Sequence, residues 1–331
     1  MMRLGITATV PVEIILAAGL EPLDLNNLFI TSPNPSGLVE LAEDHGFSHG
    51  ICSWIKGIYG AVIGFGIKNV LAVTGGDCSN TIALAEVLSS RGVEVSNFAY
   101  PLSRKRMALD LEMDRFEKRL SVTREDAEKA REALRPVRRK LSIIDELTYR
   151  EDLVTGLENH LFLVRSSDFG GNPHLFEKEL DDFIVGARMR TPVKDSVRLG
   201  YLGVPPIFSG FYEHIESLGA RVVYNEVQRQ FSMPFAEGDI VDQYISYTYP
   251  YSAEGRIADI NQAIQARSLD GLIHYTQTFC YRQIYDIILR NRLPVPVLTL
   301  EGEKPGPIDG RTALRIETFI EMLRAKKLER L

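Results

Sequence analysis

The chain has 331 residues, 45% of them hydrophobic, so it can form a compact core and its length favours two domains. Its 44 acidic residues outnumber its 38 lysines and arginines, and the net charge of −6 disfavours nucleic acid as a partner. No apolar run approaches the roughly 18 residues that a membrane helix needs, so no membrane partner is expected.

The segment from Leu4 to Leu20 has the apolar character of a secretion signal, but Pro11 and Glu13 interrupt it near its middle. A strand, a proline turn and a short helix explain it better, so the sequence predicts a cytoplasmic protein. Three cysteines are too few for a disulfide framework in a chain of this length. Their odd number favours free thiols or metal ligands.

Aliphatic runs alternate with amphipathic runs over the first hundred residues. Residues 70–73 predict a buried strand, residues 81–89 a helix and residues 97–101 the end of another strand. This βαβ rhythm is typical of a parallel sheet. It predicts an N-terminal α/β domain over residues 1–103.

No strand signal recurs between about residues 104 and 180, and Thr123 with the acidic residues after it provides a helix start. A helical segment over residues 104–194 is therefore predicted. Its basic runs at residues 104–106 and 135–140 alternate with acids, which is typical of a solvated helix face rather than a polyanion site.

A second alternation of strands and helices begins at residue 197. Its predicted strands are residues 197–201, 220–224, 271–275 and 295–300, and its predicted helices are residues 210–218, 255–267, 282–290 and 313–326. It predicts a C-terminal α/β domain over residues 195–331. The fold class is thus α/β, with two doubly wound, Rossmann- or flavodoxin-like domains and a helical insertion between them.

Each cysteine follows a predicted strand end and precedes a predicted helix. This holds for Cys52, Cys78 and Cys280. Unsatisfied amides at helix N-termini favour a thiolate, and ligands collect at the carboxyl edges of open α/β sheets. Gly75 and Gly76 would allow backbone amides to approach an anionic centre closely.

The residues alone leave another interpretation open. Free cysteine is among the most buried residue types, so all three side chains could simply be small core residues. No CxxC spacing marks a metal site either.

Short motifs in a shared order resemble the 2-hydroxyacyl-CoA dehydratase family, in particular the D-component of 2-hydroxyglutaryl-CoA dehydratase and subunits of benzoyl-CoA reductase. The similar segments are residues 5–15, 17–22, 51–53, 74–78, 134–139, 274–280, 300–301 and 312–319. They are distributed along nearly the whole chain and include all three cysteines. One departure is the sequence Glu301-Gly302-Glu303, where the family usually has Glu-x-Asp.

The resemblance implies a [4Fe-4S] cluster held by Cys52, Cys78 and Cys280, with Gly75 and Gly76 beside it and a fourth iron site open. With two cysteines in the first domain and one in the second, the cluster is expected between the domains. A double-cubane cluster, which some relatives carry, would have to be shared between two chains because one chain has only three cysteines.

The resemblance also implies an ATP-dependent activator protein that donates one low-potential electron. The family's dehydratases use it to eliminate water from a 2-hydroxyacyl-CoA by ketyl-radical chemistry, and related reductases act on aromatic thioesters. The expected partners are this activator, an acyl-CoA or other small-molecule substrate, and a homodimer or heterodimer with a related subunit. The alternatives are a cluster-carrying electron-transfer or assembly subunit without a substrate, and a small-molecule reductase.

Four side chains are candidates for catalysis, and each has a structural alternative. Ser53 either places a hydroxyl near the open iron or caps a helix. His274 is either an acid/base or a satisfied structural residue. Glu13 either reaches the cleft or caps the helix that it begins, and Glu301 either handles protons or only accepts hydrogen bonds. His49 is a further candidate because it lies close to Cys52 in sequence.

Overall fold

The structure is a computed structural model that describes residues 2–194 and 197–329. Two compact units divide the chain, and each is assembled from separate stretches of sequence. The first unit consists of Met1–Arg139, Arg165–Glu179 and Gln230–Ser252. The second consists of Lys140–Val164, Leu180–Arg229 and Ala253–Leu331. The predicted domain boundaries after residues 103 and 194 stay a prediction.

Strands and helices alternate through most of the chain. The strands are β1 (Arg3–Ile6), β2 (Glu21–Asp24), β3 (Asn69–Gly75), β4 (Glu94–Ala99), β5 (Val197–Leu202), β6 (Phe208–Ser209), β7 (Ala220–Asn225), β8 (Gly271–Gln277), β9 (Val297–Gly302) and β10 (Gly306–Pro307). The helices are α1 (Val12–Ala17), α2 (Leu25–Ile30), α3 (Pro35–Asp44), α4 (Ser53–Gly64), α5 (Asn80–Ser90), α6 (Arg106–Leu120), α7 (Arg124–Tyr149), α8 (Gly156–Arg165), α9 (Pro173–Arg188), α10 (Phe211–Ser217), α11 (Glu226–Phe231), α12 (Ile240–Ser246), α13 (Ala253–Ala266), α14 (Asp286–Arg292) and α15 (Gly310–Leu328). None of these helices is long and apolar enough to cross a membrane.

The first unit contains a parallel sheet with strand order β2-β1-β3-β4. The chain passes from β1 to β2 on one side and then to β3 on the other side of β1. The direction of winding therefore reverses between β1 and β3. In open α/β sheets the crevice outside the carboxyl ends of two such strands is the usual ligand site.

Helix α4 packs closely against its neighbours in the first unit because it carries glycines at the contacts. A Cβ atom on Gly57 would lie 2.3 Å from the ring of Phe29, and one on Gly60 would lie 2.0 Å from the carbonyl oxygen of Leu38. Real side chains never approach this closely, so both contacts require glycine. They fix the position of α4, whose N-terminal residue follows Cys52.

The second unit contains a parallel sheet with strand order β7-β5-β8-β9 and a short parallel pair, β6 with β10. The chain moves from β5 to β7 on one side and then to β8 on the other, so the reversal lies between β5 and β8. Every residue of β8 is buried, which is typical of a central strand covered on both faces. The predicted fold class is confirmed: both units contain parallel α/β sheets.

Candidate functional site

Cys52 is the N-cap of α4 in the first unit, and its extended backbone (φ −49°, ψ 125°) ends the preceding loop. Its carbonyl oxygen accepts a hydrogen bond from the N–H of Lys56 at 3.2 Å. The side chain is buried in an apolar cluster that includes Ile55 and Tyr59. Ser53, the first residue of α4, is also buried, and it is Cys52 rather than Ser53 that occupies the cap position.

A buried ion pair holds the loop that leads to Cys52. The ammonium group of Lys56, which is fully buried, lies 2.5 Å from Glu43 Oε1, and His49 Nδ1 lies 3.0 Å from Glu43 Oε2. Lys56 also donates to the carbonyl oxygen of His49 at 3.4 Å. The side chain and the backbone carbonyl group of His49, three residues before Cys52, therefore both hold the loop in place.

Cys78 follows β3 at the carboxyl edge of the first sheet. It is half-buried and packs against the same apolar cluster that contains Cys52. Gly76, two residues earlier, has φ +83°, and a Cβ atom there would lie 2.7 Å from Tyr100 Cβ and 2.8 Å from Pro250 Cβ. The turn between β3 and Cys78 therefore requires glycine for both its conformation and its packing.

Two threonines follow β1 at the point where the winding of the first sheet reverses. Thr7 Oγ1 accepts a hydrogen bond from the N–H of Val73 at 2.9 Å. Thr9 Oγ1 is buried and has no hydrogen-bond partner among the described residues. A buried hydroxyl without a partner is costly, and at this edge it is available to a bound group.

Glu13 is fully buried within the first unit. Its Oε1 accepts from Arg138 at 2.5 Å and from Gln243 at 2.7 Å, and its Oε2 accepts from the hydroxyl of Tyr244 at 2.8 Å. Burial raises the pKa of Glu13, but the charge of Arg138 and the hydrogen bonds outweigh it and hold the pKa below its ordinary value. Such a carboxylate is a poor proton acceptor at neutral pH.

Cys280 follows β8 in the second unit and is the N-cap of a 3-10 turn, Tyr281–Tyr285. Its N–H donates to the carbonyl oxygen of Gln277 at 2.9 Å, which closes the turn after the strand. The residue is half-buried. It therefore stands at the carboxyl edge of the second sheet, beside the reversal between β5 and β8.

His274, on β8, is part of a polar network that the sequence did not reveal. Its Nδ1 lies 3.0 Å from Asp286 Oδ1, and Asp286 also accepts from Thr299 and, at 2.5 Å, from Arg290. Burial raises the pKa of Asp286, but the hydrogen bonds from His274, Thr299 and Arg290 outweigh it, so the net pKa is well below the usual range. The ionised Asp286 thus orients the imidazole of His274.

In the second unit, Thr276 Oγ1 on β8 and both amide atoms of Gln228 on α11 are among the buried polar atoms that have no hydrogen-bond partner within the described residues. Both residues are buried at the carboxyl side of the sheet. Glu301, by contrast, lies on the edge strand β9, opposite Thr276, and is exposed. No sequence signal distinguishes Thr276 and Gln228 from ordinary core residues.

The three cysteines suit an iron–sulfur cluster in their chemistry. Thiolate is the usual cluster ligand, and each of the three cysteines directly precedes a helix or a helical turn. Cys52 and Cys78 share the apolar surroundings of the first unit, whereas Cys280 belongs to the second. Within the described chain, no three His, Cys, Asp or Glu side chains form a group that could hold a metal ion.

Comparison with known protein families gives one match. The sequence model of the family described as 2-hydroxyglutaryl-CoA dehydratase, D-component, matches residues 7–323. No curated protein matches the chain. Because the family match spans nearly the whole sequence and includes all three cysteines, the resemblance seen in the motifs is confirmed, and the chain belongs to the 2-hydroxyglutaryl-CoA dehydratase D-component family.

Proposed function

We propose that this chain is the iron–sulfur subunit of an ATP-driven dehydratase or reductase that acts on an acyl-CoA. Cys52, Cys78 and Cys280 would be the three protein ligands of a [4Fe-4S] cluster. When bound, such a cluster supplies a low-potential one-electron couple and an iron site open to a small ligand. The observation that carries the proposal is the family match over residues 7–323, a range that contains Cys52, Cys78 and Cys280.

The local positions of the cysteines support this assignment. Cys78 and Cys280 each follow the strand at which the winding of their own sheet reverses. Cys52 and Cys280 cap helical turns, where amide groups stabilise a thiolate. The buried hydroxyls of Thr9 and Thr276, which have no hydrogen-bond partner among the described residues, also support a bound group near these strand ends.

Among the candidate acid/base residues, His274 has the most support. Its contact with the ionised Asp286 favours the tautomer with a proton on Nδ1, which leaves Nε2 to accept or return a proton. We assign Glu13 a structural role because both of its oxygens accept hydrogen bonds. Ser53 and Glu301 stay predictions for the substrate side of the site.

The proposed partners are an ATP-hydrolysing activator that delivers the electron and a second subunit, either another copy or a related chain. The runner-up function is a cluster carrier for electron transfer or assembly. One observation favours it: Cys52 is only 7% exposed, as expected for a cluster shielded from substrate.

Anaerobic purification followed by iron and sulfide analysis tests the step on which both functions depend. We expect a brown protein with about four irons per chain, and loss of iron in each of Cys52→Ala, Cys78→Ala and Cys280→Ala. Ser79→Ala, next to Cys78, is the matched control and should retain its iron. A colourless protein after anaerobic reconstitution would contradict the proposal.

Substrate turnover then separates the two functions. Iron-loaded protein mixed with activator, ATP and a 2-hydroxyacyl-CoA should form the enoyl-CoA, which chromatography detects. An iron-loaded protein that accepts an electron but converts neither hydroxyacyl nor aromatic thioesters supports the carrier instead.

A further inference from the structure

Five large apolar side chains are exposed within ten consecutive residues of the second unit. Their exposed fractions are 63% for Phe279, 40% for Tyr281, 68% for Ile284, 65% for Ile287 and 37% for Ile288. We call these five residues the apolar patch. No other stretch of ten described residues exposes more than three large apolar side chains.

The patch forms one side of a helical segment whose opposite side is already packed. Residues three or four apart share a helix face, which groups Tyr281 with Ile284 and Ile284 with the two following isoleucines. Arg282 and Leu289, from the remaining positions, are buried in the second unit. Leu289 therefore lies on the packed side of the segment, and the apolar patch lies on its exposed side.

The backbone of Phe279 gives independent support. Its φ of +65° lies in the left-handed region, in the turn that the Cys280 N–H to Gln277 carbonyl hydrogen bond closes. Glycine is the residue that this turn position favours, and a bulky side chain there is strained. The conformation of the turn therefore does not explain why an exposed aromatic ring stands at this position.

The size of the patch fits a permanent interface. At roughly 150–200 Å² for each large side chain, the five exposed fractions amount to roughly 500 Å² of apolar surface. A standard interface buries about 800 Å² per partner, of which about 65% is apolar in homodimers. The patch could therefore supply the apolar core of one side of a dimer interface.

The charges around the patch favour a second copy over an oppositely charged partner. Asp286 is paired with Arg290 at 2.5 Å, and Glu254 with Arg292 at 3.1 Å, so each of these four charged groups has an oppositely charged partner within the same chain. A surface that meets its own copy must avoid facing like charges, and this one does. A transient partner would leave the patch in water for most of the time, which promotes aggregation.

We propose that the apolar patch is the contact surface between two copies of this chain, related by a two-fold axis. In such a contact each copy presents the same residues to the other. Cys280 lies between Phe279 and Tyr281, so the ligand segments of both copies border the interface. The proposal locates the dimer contact of the proposed function, but its test measures mass and does not depend on iron or turnover.

Sedimentation equilibrium of the full chain, purified anaerobically, tests the proposal. We expect the wild type to be a dimer at micromolar concentration. Ile287→Glu should weaken the dimer on the order of a hundredfold, because association would bury an unpaired charge from each copy. Leu175→Glu, which changes a 62% exposed leucine in the first unit, should leave the dimer intact.

Circular dichroism of each variant verifies that it is folded, and Ile284→Ala provides a milder change that should weaken the dimer by about tenfold. A wild-type chain that is monomeric overturns the proposal. So does a wild-type chain that binds a related subunit but not a second copy of itself. A dimer that persists unchanged in both Ile287→Glu and Ile284→Ala also overturns it.

Discussion

The backbone N–H of Asp24 donates a hydrogen bond to Asp168 Oδ2 at 2.7 Å, and the side chains of both aspartates are buried in the first unit. Burial raises the pKa of Asp168, and the charge of Asp24 raises it further, to about 7, although Arg165 opposes the shift. Burial also raises the pKa of Asp24. In the folded chain these carboxyl groups therefore keep a proton up to a higher pH than they do in the unfolded chain.

This pair predicts a pH-dependent stability. The unfolded pKa of Asp168 is near 4, so between about pH 4 and pH 7 the folded chain binds more protons than the unfolded chain, and its stability falls as the pH rises. Asp168→Asn removes the contribution of Asp168 to this dependence, so the free energy of unfolding of the variant should fall less between pH 5 and pH 8 than that of the wild type. Urea titrations from pH 5 to pH 8 measure it.

The exposed Glu40→Gln serves as the control for the pH series and should follow the wild type throughout. If the free energy of unfolding changes equally with pH in the wild type and in Asp168→Asn, Asp168 is ionised in the folded chain over this pH range.

A second prediction concerns the ion pair of Glu13 and Arg138. Arg138→Met leaves the buried carboxylate without its cation and should cost about 3–5 kcal/mol of stability. The double variant Glu13→Gln with Arg138→Met removes both charges and should recover most of that loss. Denaturant unfolding of the singles and the double measures the coupling.

Iron content and turnover in the same double variant test the structural role of Glu13. Both should remain near wild-type values per folded molecule. A variant that is stable and retains its iron, yet has lost turnover, would show that Glu13 takes part in the reaction.

The sequence predicts the regular elements better than the contacts between them. Strong periodicity located the strand that became β3 and the helices α5 and α13. Strand β2 was missed because its four residues include Pro22 and two acids, which an edge strand tolerates but no strand signal contains. The helix predicted from residue 282 begins in fact with a 3-10 turn, and only its later part, Asp286–Arg292, is α-helical.

The candidate site is also predictable only in part, because sequence patterns identify local elements but not the contacts between distant residues. The cysteines could be identified from their positions after strands and from the family motifs. The partner of His274 could not, because Asp286 and Thr299 come from other elements and meet it only in the folded chain. Likewise, Glu13 and Arg138 are 125 residues apart, and no local pattern links them.

The third prediction compares two threonines beside β1. Thr7→Val removes a hydrogen bond to a buried N–H and should cost about 1–2 kcal/mol of stability in the iron-free protein. Thr9→Val removes a hydroxyl that has no partner among the described residues, so it should change the stability of the iron-free protein by close to zero. Thermal unfolding of both variants measures the difference.

Thr276 and Thr278 provide the same comparison in the second unit. Thr278 Oγ1 donates to the carbonyl oxygen of Gly302 at 2.9 Å, whereas Thr276 Oγ1 has no partner in the described chain. In the iron-loaded protein, Thr9→Val and Thr276→Val should shift the reduction potential, because hydrogen bonds near a cluster tune it. Unchanged potentials in both would show that these hydroxyls do not contact the bound group.

The last prediction tests His274 through its orienting partner. Asp286→Asn can still accept a hydrogen bond but no longer stabilises the imidazolium or favours the Nδ1–H tautomer as strongly, so turnover should fall by about tenfold to a hundredfold. Iron content should not change, because Asp286 is not a cluster ligand. Thr299→Val is the matched control: it removes a different donor to Asp286 and should reduce turnover much less.

The pH dependence of turnover separates a positioning role from general damage to the fold. If His274 handles a proton, both Asp286→Asn and His274→Gln should change the shape of the profile as well as its height. A profile that keeps its shape in both variants, with only its height reduced, would assign His274 to structure rather than to proton transfer.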